Sequence, residues 1–344
     1  MCKCTSILFL HKFCLHLEYY FYNEIIMNND EEVVLLNRGA TKRERKRANL
    51  KRHWKSLLFV LPALIYVIIF CYVPMYGILI AFQDYMPGDP IVGSYTMWVG
   101  LDNFKRFFNL PNFSQIFLNT FVLCLFGFLV GFPIPIIVAL MLNSLRGKNL
   151  KQIIQTIFYA PHFISLIVLV GMVFLFFGSN GLINRLFVKW GGDVYPYLLK
   201  PEAFRPLFIL SGNWQDFGWS AIIYLAALAG VDPSLHEAAE IDGASRFRRV
   251  FSVDLPAIMP TVSMILILSI GNLMSCGYEK VLLMQTSGNL ETSEIISSYV
   301  YKIGLISGEY SLSTAAGLFN SVVNVVLLVL ANYASRKFSE YSMW

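Results

Sequence analysis

Apolar residues gather along this chain into six long runs, at 56–82, 116–142, 153–177, 206–229, 256–284 and 312–334, with short polar segments between them. Each run exceeds the ~20 residues that a helix needs to cross a ~30 Å hydrocarbon layer. None alternates with the period of two that marks a half-buried strand. The pattern therefore predicts an all-α polytopic membrane protein with six transmembrane helices. At 1.5 Å per residue, run 56–82 is longer than the layer is thick, so it must tilt or emerge. Pro62 and Pro74 are tolerated inside it if neighbours satisfy the freed carbonyls. Polar residues interrupt two other runs: Pro161 and His162 in the third, and Trp214, Asp216 and Trp219 in the fourth.

Composition strengthens this reading. Hydrophobic residues make up 56% of the 344-residue chain and charged residues 14%, against about a quarter charged in soluble domains. The net charge of +5 comes largely from the block 38–55, RGATKRERKRANLKRHWK. A basic block can bind nucleic acid, but this one directly precedes the first apolar run, where it retains the flanking segment on the cytoplasmic side. Arg146 to Lys151, Arg246 to Arg249, and Arg336 with Lys337 supply further basic residues. Six spans put all four segments on one face, which the positive-inside rule makes cytoplasmic, with both termini inside. No nucleic-acid partner is expected; membrane lipid is. The chain divides accordingly into an N-terminal segment with a basic tail (1–55), a first span with its external loop (56–115), a five-helix core (116–335) and a C-terminal tail (336–344). Residues 1–26 differ in character from the rest of the chain, and Met27 is the expected true start. Cys71, Cys124 and Cys276 fall in predicted spans and are expected to pack as small apolar side chains. Cys2 and Cys4 have no partner pair at zinc-site spacing, so neither a metal site nor a disulfide framework is expected.

The segment 232–260, DPSLHEAAEIDGASRFRRVFSVDLPAIMP, is strongly polar within an apolar region. Asp232 is placed to cap a helix and Pro233 fits its first position. Ser234 and Glu237 have capping-box spacing. Gly243 is placed to end the helix in a left-handed turn, and Ser245 to cap a second short helix from Arg246 to about Phe251, before Pro256 opens a new apolar run. Glu237-Ala238-Ala239, then Gly243, then Val253-Asp254-Leu255-Pro256 resembles the "EAA…G…I-x-LP" loop of ABC importer permeases, with Val253 where isoleucine is usual. The resemblance implies a MetI-like permease fold in which loop 232–256 is the coupling helix seated on an ATP-hydrolysing subunit. Glu237, Ala238, Ala239, Gly243, Leu255 and Pro256 are the residues it assigns to that contact. The segment 99–104, VGLDNF, resembles an external segment of importer permeases of the maltose type, and the segments 293–305 and 310–319 are similar to LplB-type permeases of the maltose/oligosaccharide class, a likeness that spans roughly 57–344. It implies a second permease subunit, two copies of the ATPase, an extracellular solute-binding lipoprotein, and a complex saccharide as cargo.

Chemistry absent from the sequence points the same way. No G-x-x-x-x-G-K-[ST] loop is present: Gly147-Lys148 continues into Asn149 with no upstream glycine at the required distance. Without such a loop the chain has no phosphate cradle of its own. No Ser/His/Asp or H-E-x-x-H constellation appears, and the five histidines are scattered, His236 reading as a surface residue. The chain is expected to be non-enzymatic and to need no cofactor. An ion-coupled carrier would be expected to show paired carboxylates or broken helices at the bilayer midplane, and often an inverted repeat, and none of these is visible in the sequence; a non-sugar solute on the same architecture stays open. Polar residues within spans mark transport paths or glue helices together. Asn272, Ser275, Tyr278 and Glu279 in the fifth run, and Asn320 and Asn324 in the sixth, are the candidates for either role.

Overall fold

The computed structural model describes residues 58, 60–93, 96–145 and 147–338. The expectations for Met27, the basic block 38–55, Cys2, Cys4, Arg146 and the tail beyond 338 lie outside those residues. Chain contacts divide the protein into two units that meet between Ile80 and Ala81. Helix α1 (Val60–Phe82), all but its last two residues in the first unit, carries the expected Pro74. A π turn at Ile68–Tyr72 precedes it, with the Val73 amide reaching back to the Ile68 carbonyl. The proline ring crowds the carbonyl four residues earlier, and the wider turn relieves that clash. No residue of the most apolar stretch of α1 is buried.

The second unit is helical among the described residues, apart from one isolated antiparallel bridge between Gln83 and Trp98. Its first helix, α2 (Asp102–Phe108), contains the buried Asn103. This side chain donates to the carbonyls of Ala81 (3.1 Å) and Gln83 (2.8 Å), which gives the VGLDNF segment a structural role. Helices α3 (Phe113–Gly131) and α4 (Pro133–Ser144) follow, nearly continuous because Pro133 occupies a first helical position, where it lacks nothing. After α5 (Lys148–Tyr159), a 3₁₀ turn at Ala160–Phe163 leads to α6 (Leu166–Phe177) and α7 (Leu182–Lys189). Helix α8 (Pro201–Ala229) is joined at a 74° bend to α9 (Pro233–Ile241). Then come α10 (Arg246–Gly271), α11 (Tyr278–Met284), α12 (Leu290–Ser293), α13 (Ile296–Tyr301) and α14 (Tyr310–Phe338).

Five of these segments are long and apolar enough to cross a membrane, and α8 taken with α9 makes a sixth. The protein is thus a multi-pass membrane protein, with three local differences from the expected runs. The third run is broken: Ile164 is extended and Ser165 caps α6 by accepting from the Val168 amide. Gln215 of α8 donates to the Ile164 carbonyl (2.7 Å) that the break frees. The fifth run also ends early, at Gly271, so Asn272 and Ser275 stand outside the helix while Tyr278 and Glu279 belong to α11. The third difference concerns cysteine. Cys124 of α3 and Cys276 form a disulfide with Cα atoms 5.9 Å apart, within the usual span of such a bond. Two residues expected to pack as separate apolar groups are therefore a covalent tie, brought together by a fold that no sequence spacing reports.

Small residues set the closeness of the helices. Ala139 of α4, Ala221 of α8 and Ile258 of α10 are fully buried in one cluster with Leu140, Tyr224, Leu228 and Val262. A side chain on Gly218 would collide with the Phe158 carbonyl oxygen of α5. Hydrocarbon tails are as apolar as leucine, so close van der Waals contact of this kind does much of what water exclusion does in soluble cores.

Candidate functional site

The loop between α8 and α10 is built by local rules. Asp232 adopts extended backbone and its carboxylate accepts from the Ser234 amide at 2.9 Å. That hydrogen bond holds the Asp232 carboxyl below the ordinary carboxylate range. The cap is Asp232 rather than a Ser234–Glu237 box, since Ser234 lies inside the helix and its amide is the one satisfied. Gly243 has φ +77°, a conformation that costs other residues roughly 1–2 kcal/mol. Ser245 then accepts from the Arg248 amide (3.3 Å). Beyond Arg249 the expectation of a separate short helix is not met. A π turn at Val250–Asp254 carries the chain straight into the membrane segment, with Leu255 and Pro256 at its start. Pro256 causes no break because the π turn just before it, with the Leu255 amide reaching back to the Val250 carbonyl, relieves the clash its ring would make with the preceding turn.

The loop faces outward. Glu237 and Ala238 are exposed, Ala239 is half-buried, and Ile241 and Phe247 are 87% and 75% exposed. Phe251 packs its ring on Phe247 at 4.9 Å. On its other side α9 is held by two polar contacts: Glu240 with Arg249 at 2.7 Å and His236 Nε2 with Asp254 Oδ1 at 3.2 Å. His236 is accordingly half-buried rather than a free surface residue.

The membrane candidates separate into two kinds. Asn324 accepts from the Met274 amide (2.9 Å) and donates to Ser275 Oγ (2.9 Å), while Asn320 donates to the Met274 carbonyl (3.1 Å). Both asparagines thus hold the unwound segment after α10, and Asn320 Oδ1 is buried with no hydrogen-bond partner among the described residues. By contrast Asn272, Tyr278 and Glu279 are exposed. Asn272 donates to the Leu268 carbonyl (3.2 Å) and Tyr278 stacks on Tyr301 at 5.6 Å. Lys280, buried beside Glu279, donates to the Phe208 carbonyl (2.8 Å) and lies over the Phe208 ring.

A further cluster falls on residues to which the sequence reading gave no role. His162 Nδ1 lies 3.0 Å from Asp216 Oδ1, and its ring stacks on Trp219 at 4.5 Å with 7° between planes. Phe163 meets the same indole edge-on. Trp219 is 46% exposed and the Asp216 side chain 60%. An exposed carboxylate midway along a spanning helix is costly against lipid, so this face of α8 belongs against water or another protein. The signal was present in the sequence, as an ionisable residue within an apolar run. Among the described residues no group of three or more His, Cys, Asp or Glu is arranged to hold a metal ion.

Comparison with known proteins places these features. Residues 131–340 match the family described as binding-protein-dependent transport system inner membrane component. The chain is 44% identical over 306 residues to the polygalacturonan/rhamnogalacturonan transport system permease protein YteP of Bacillus subtilis, covering 88% of this chain and 95% of that one. It is 43% identical to protein LplB of the same organism, over 86% and 93% of the two chains. Among solved structures, it resembles a chain of a bacterial ABC transporter involved in the import of the acidic polysaccharide alginate. The two share a TM-score of 0.77 and 36% identity, over 86% of this chain and 100% of that one. A second structure, of a bacterial alginate ABC transporter with an alginate pentasaccharide-bound periplasmic protein, gives 0.78 at 36% identity, over 86% and 99%. With an outward-facing polar loop, spans that carry polar breaks, and likeness over most of its length to sugar-transport permeases, the chain belongs to the family of binding-protein-dependent transport system inner membrane components.

Proposed function

We propose that this protein is a permease subunit of an ATP-driven importer for oligosaccharides, delivered by an extracellular solute-binding protein. The observation that carries the reading is the loop 232–256: two helical segments hinged at Gly243, presenting Glu237, Ala238, Ile241 and Phe247 outward. Exposed apolar side chains at a polar membrane boundary favour a protein partner over water. The partner is an ABC ATPase present in two copies, and a second permease completes the pathway. Glu237 supplies a charge-assisted contact to the ATPase, Ala238 and Ala239 allow close approach, and Leu255 and Pro256 carry the movement into the span. Both termini lie in the cytoplasm with this loop. The chain itself is not an enzyme, because ATP is hydrolysed by the partner.

The cargo path follows the polar side of α8 and the unwound segment after α10. Trp219 offers an aromatic face for a sugar ring, while Asp216, His162, Asn272 and Glu279 offer hydrogen bonds to hydroxyls. Asn320 and Asn324 act on the path through the backbone they hold. The saccharide class rests on the named cargo of the relatives together with this aromatic and polar surface.

The test is co-purification of the tagged chain from membranes in mild detergent. The wild-type protein is expected to bring down an ATPase and a second permease. Gly243→Asp, which keeps the spans but places a charged side chain at φ +77°, is expected to insert normally, lose the ATPase and abolish uptake. Normal uptake by that variant refutes the docking role.

A further inference from the structure

Asp254 is nearly fully buried, 3% exposed, at the point where α9, α10 and α4 meet. A buried carboxylate persists only where partners replace its water. Here one oxygen, Oδ1, takes both: His236 Nε2 of α9 at 3.2 Å and the Asn143 amide of α4, which donates at 3.2 Å. The π turn makes this geometry. Residues five apart on an unbroken α-helix point about 140° away from each other. With the wider turn at Val250–Asp254, Arg249 and Asp254 both reach α9, where they meet Glu240 and His236, themselves one turn apart. π turns of this kind recur at functional positions in helices.

The arrangement matters because the covalent link between α9 and α10 is weak in bending. It consists of residues 242–245, with Gly243 in the left-handed region. A push on α9 transmitted through that link alone would be absorbed by the hinge. The Glu240–Arg249 contact adds little, since the Glu240 side chain is 67% exposed and such pairs are worth little in water. Asp254 differs: it is shielded, it grips α9 at His236, and it grips α4 at Asn143. Helix α4 in turn shares a buried cluster with α8 and α10.

We propose that Asp254 is the positioning residue that turns displacement of α9 into joint displacement of α4 and α10, with His236 and Asn143 as its two holds. The proposal rests on the reading of α9 as the helix that docks the ATPase. It separates docking, which belongs to the outward face of the loop, from transmission, which belongs to the buried face.

The experiment uses the complete importer in proteoliposomes and records three quantities: ATPase retained on the permease, ATP hydrolysed, and solute moved per ATP. Asp254→Asn keeps size and the acceptor for Asn143 but removes the charge facing His236. It is expected to retain the ATPase while solute moved per ATP falls about five- to tenfold, the range of a modest coupling energy. His236→Gln, at a side chain one-third exposed, is expected to lower the same ratio less, and the double variant to be no worse than Asp254→Asn alone. A wild-type ratio in Asp254→Asn overturns the proposal, and so does loss of the bound ATPase, which would make Asp254 part of the docking face. If Asp254→Asn fails to insert, His236→Gln decides, and an unchanged ratio there overturns it. Failure of the docking reading shows separately, as an ATPase that stays bound to Gly243→Asp.

Discussion

Residues 242–245 and residues 272–277 are both short interruptions between helices, and opposite means hold them in place. The first is governed from within: Asp232 and Ser245 cap the flanking helices through neighbours two or three residues away, and Gly243 supplies the turn. The second is governed from a distance. Its Met274 amide and carbonyl are taken by Asn324 and Asn320, some fifty residues later, and Cys276 is bonded to Cys124, 152 residues earlier. The difference comes from the surroundings of each. A loop in water can leave carbonyls to the solvent, so cheap local caps suffice. A break among apolar helices has no water to satisfy it, and the fold must bring donors and acceptors to it.

The largest test of this contrast is removal of a distant hold. Asn324→Leu preserves size but leaves the Met274 amide, on a residue 1% exposed, without its acceptor. An unsatisfied buried group costs about 1–3 kcal/mol. The variant is expected to lower the thermal midpoint of the whole protein in detergent and to weaken transport, while the ATPase still binds. A normal midpoint would mean that the break satisfies itself locally, and the comparison would fail.

This division also explains which features were legible in the sequence. The spans and the caps of loop 232–256 could be read because membrane thickness and capping act on contiguous residues, as at Asp232, Gly243 and Ser245. The early end of α10 was not, because Leu273 and Met274 continue an apolar run and only Asn320 and Asn324 reveal that the backbone leaves the helix there. The break at Ile164 escaped for the same reason, its carbonyl being satisfied by Gln215. Pro161 and His162 were visible within the third run, but the pairing of His162 with Trp219 and Asp216 exists only once the turn after α5 packs on α8. Asp254 was present within the recognised loop, yet its burial depends on Asn143, 111 residues earlier.

A smaller effect is expected where a side chain contributes chemistry and little fold. Trp219→Ala removes the indole stacked on His162, and an aromatic pair is worth about 0.5–1.5 kcal/mol. If that face receives a sugar ring, the concentration for half-maximal uptake should rise roughly two- to tenfold, with the thermal midpoint nearly unchanged. A change in the midpoint with uptake affinity intact would assign Trp219 to packing, alongside Asn324, instead of to the path.

The smallest and most local effect belongs to Asp232. Its carboxyl is held below the ordinary range by the Ser234 amide, so the ionised form is favoured when α9 is formed. That depression fixes the sign. The cap's contribution is fully present above the unfolded-state value near pH 4 and is lost as pH falls through the lower value of the folded state. Hydrogen exchange of the Ser234 amide, corrected for the intrinsic rate, should therefore lose protection in acid, below about pH 4. Asparagine caps as well as aspartate but does not titrate, so Asp232→Asn should leave protection flat across the same range. The Met274 amide, whose acceptor is a neutral asparagine, should show no such acid step in either protein. An acid step at Met274 matching that at Ser234 would mean that the two interruptions open together, and that the local cap of α9 does not open independently of the break after α10.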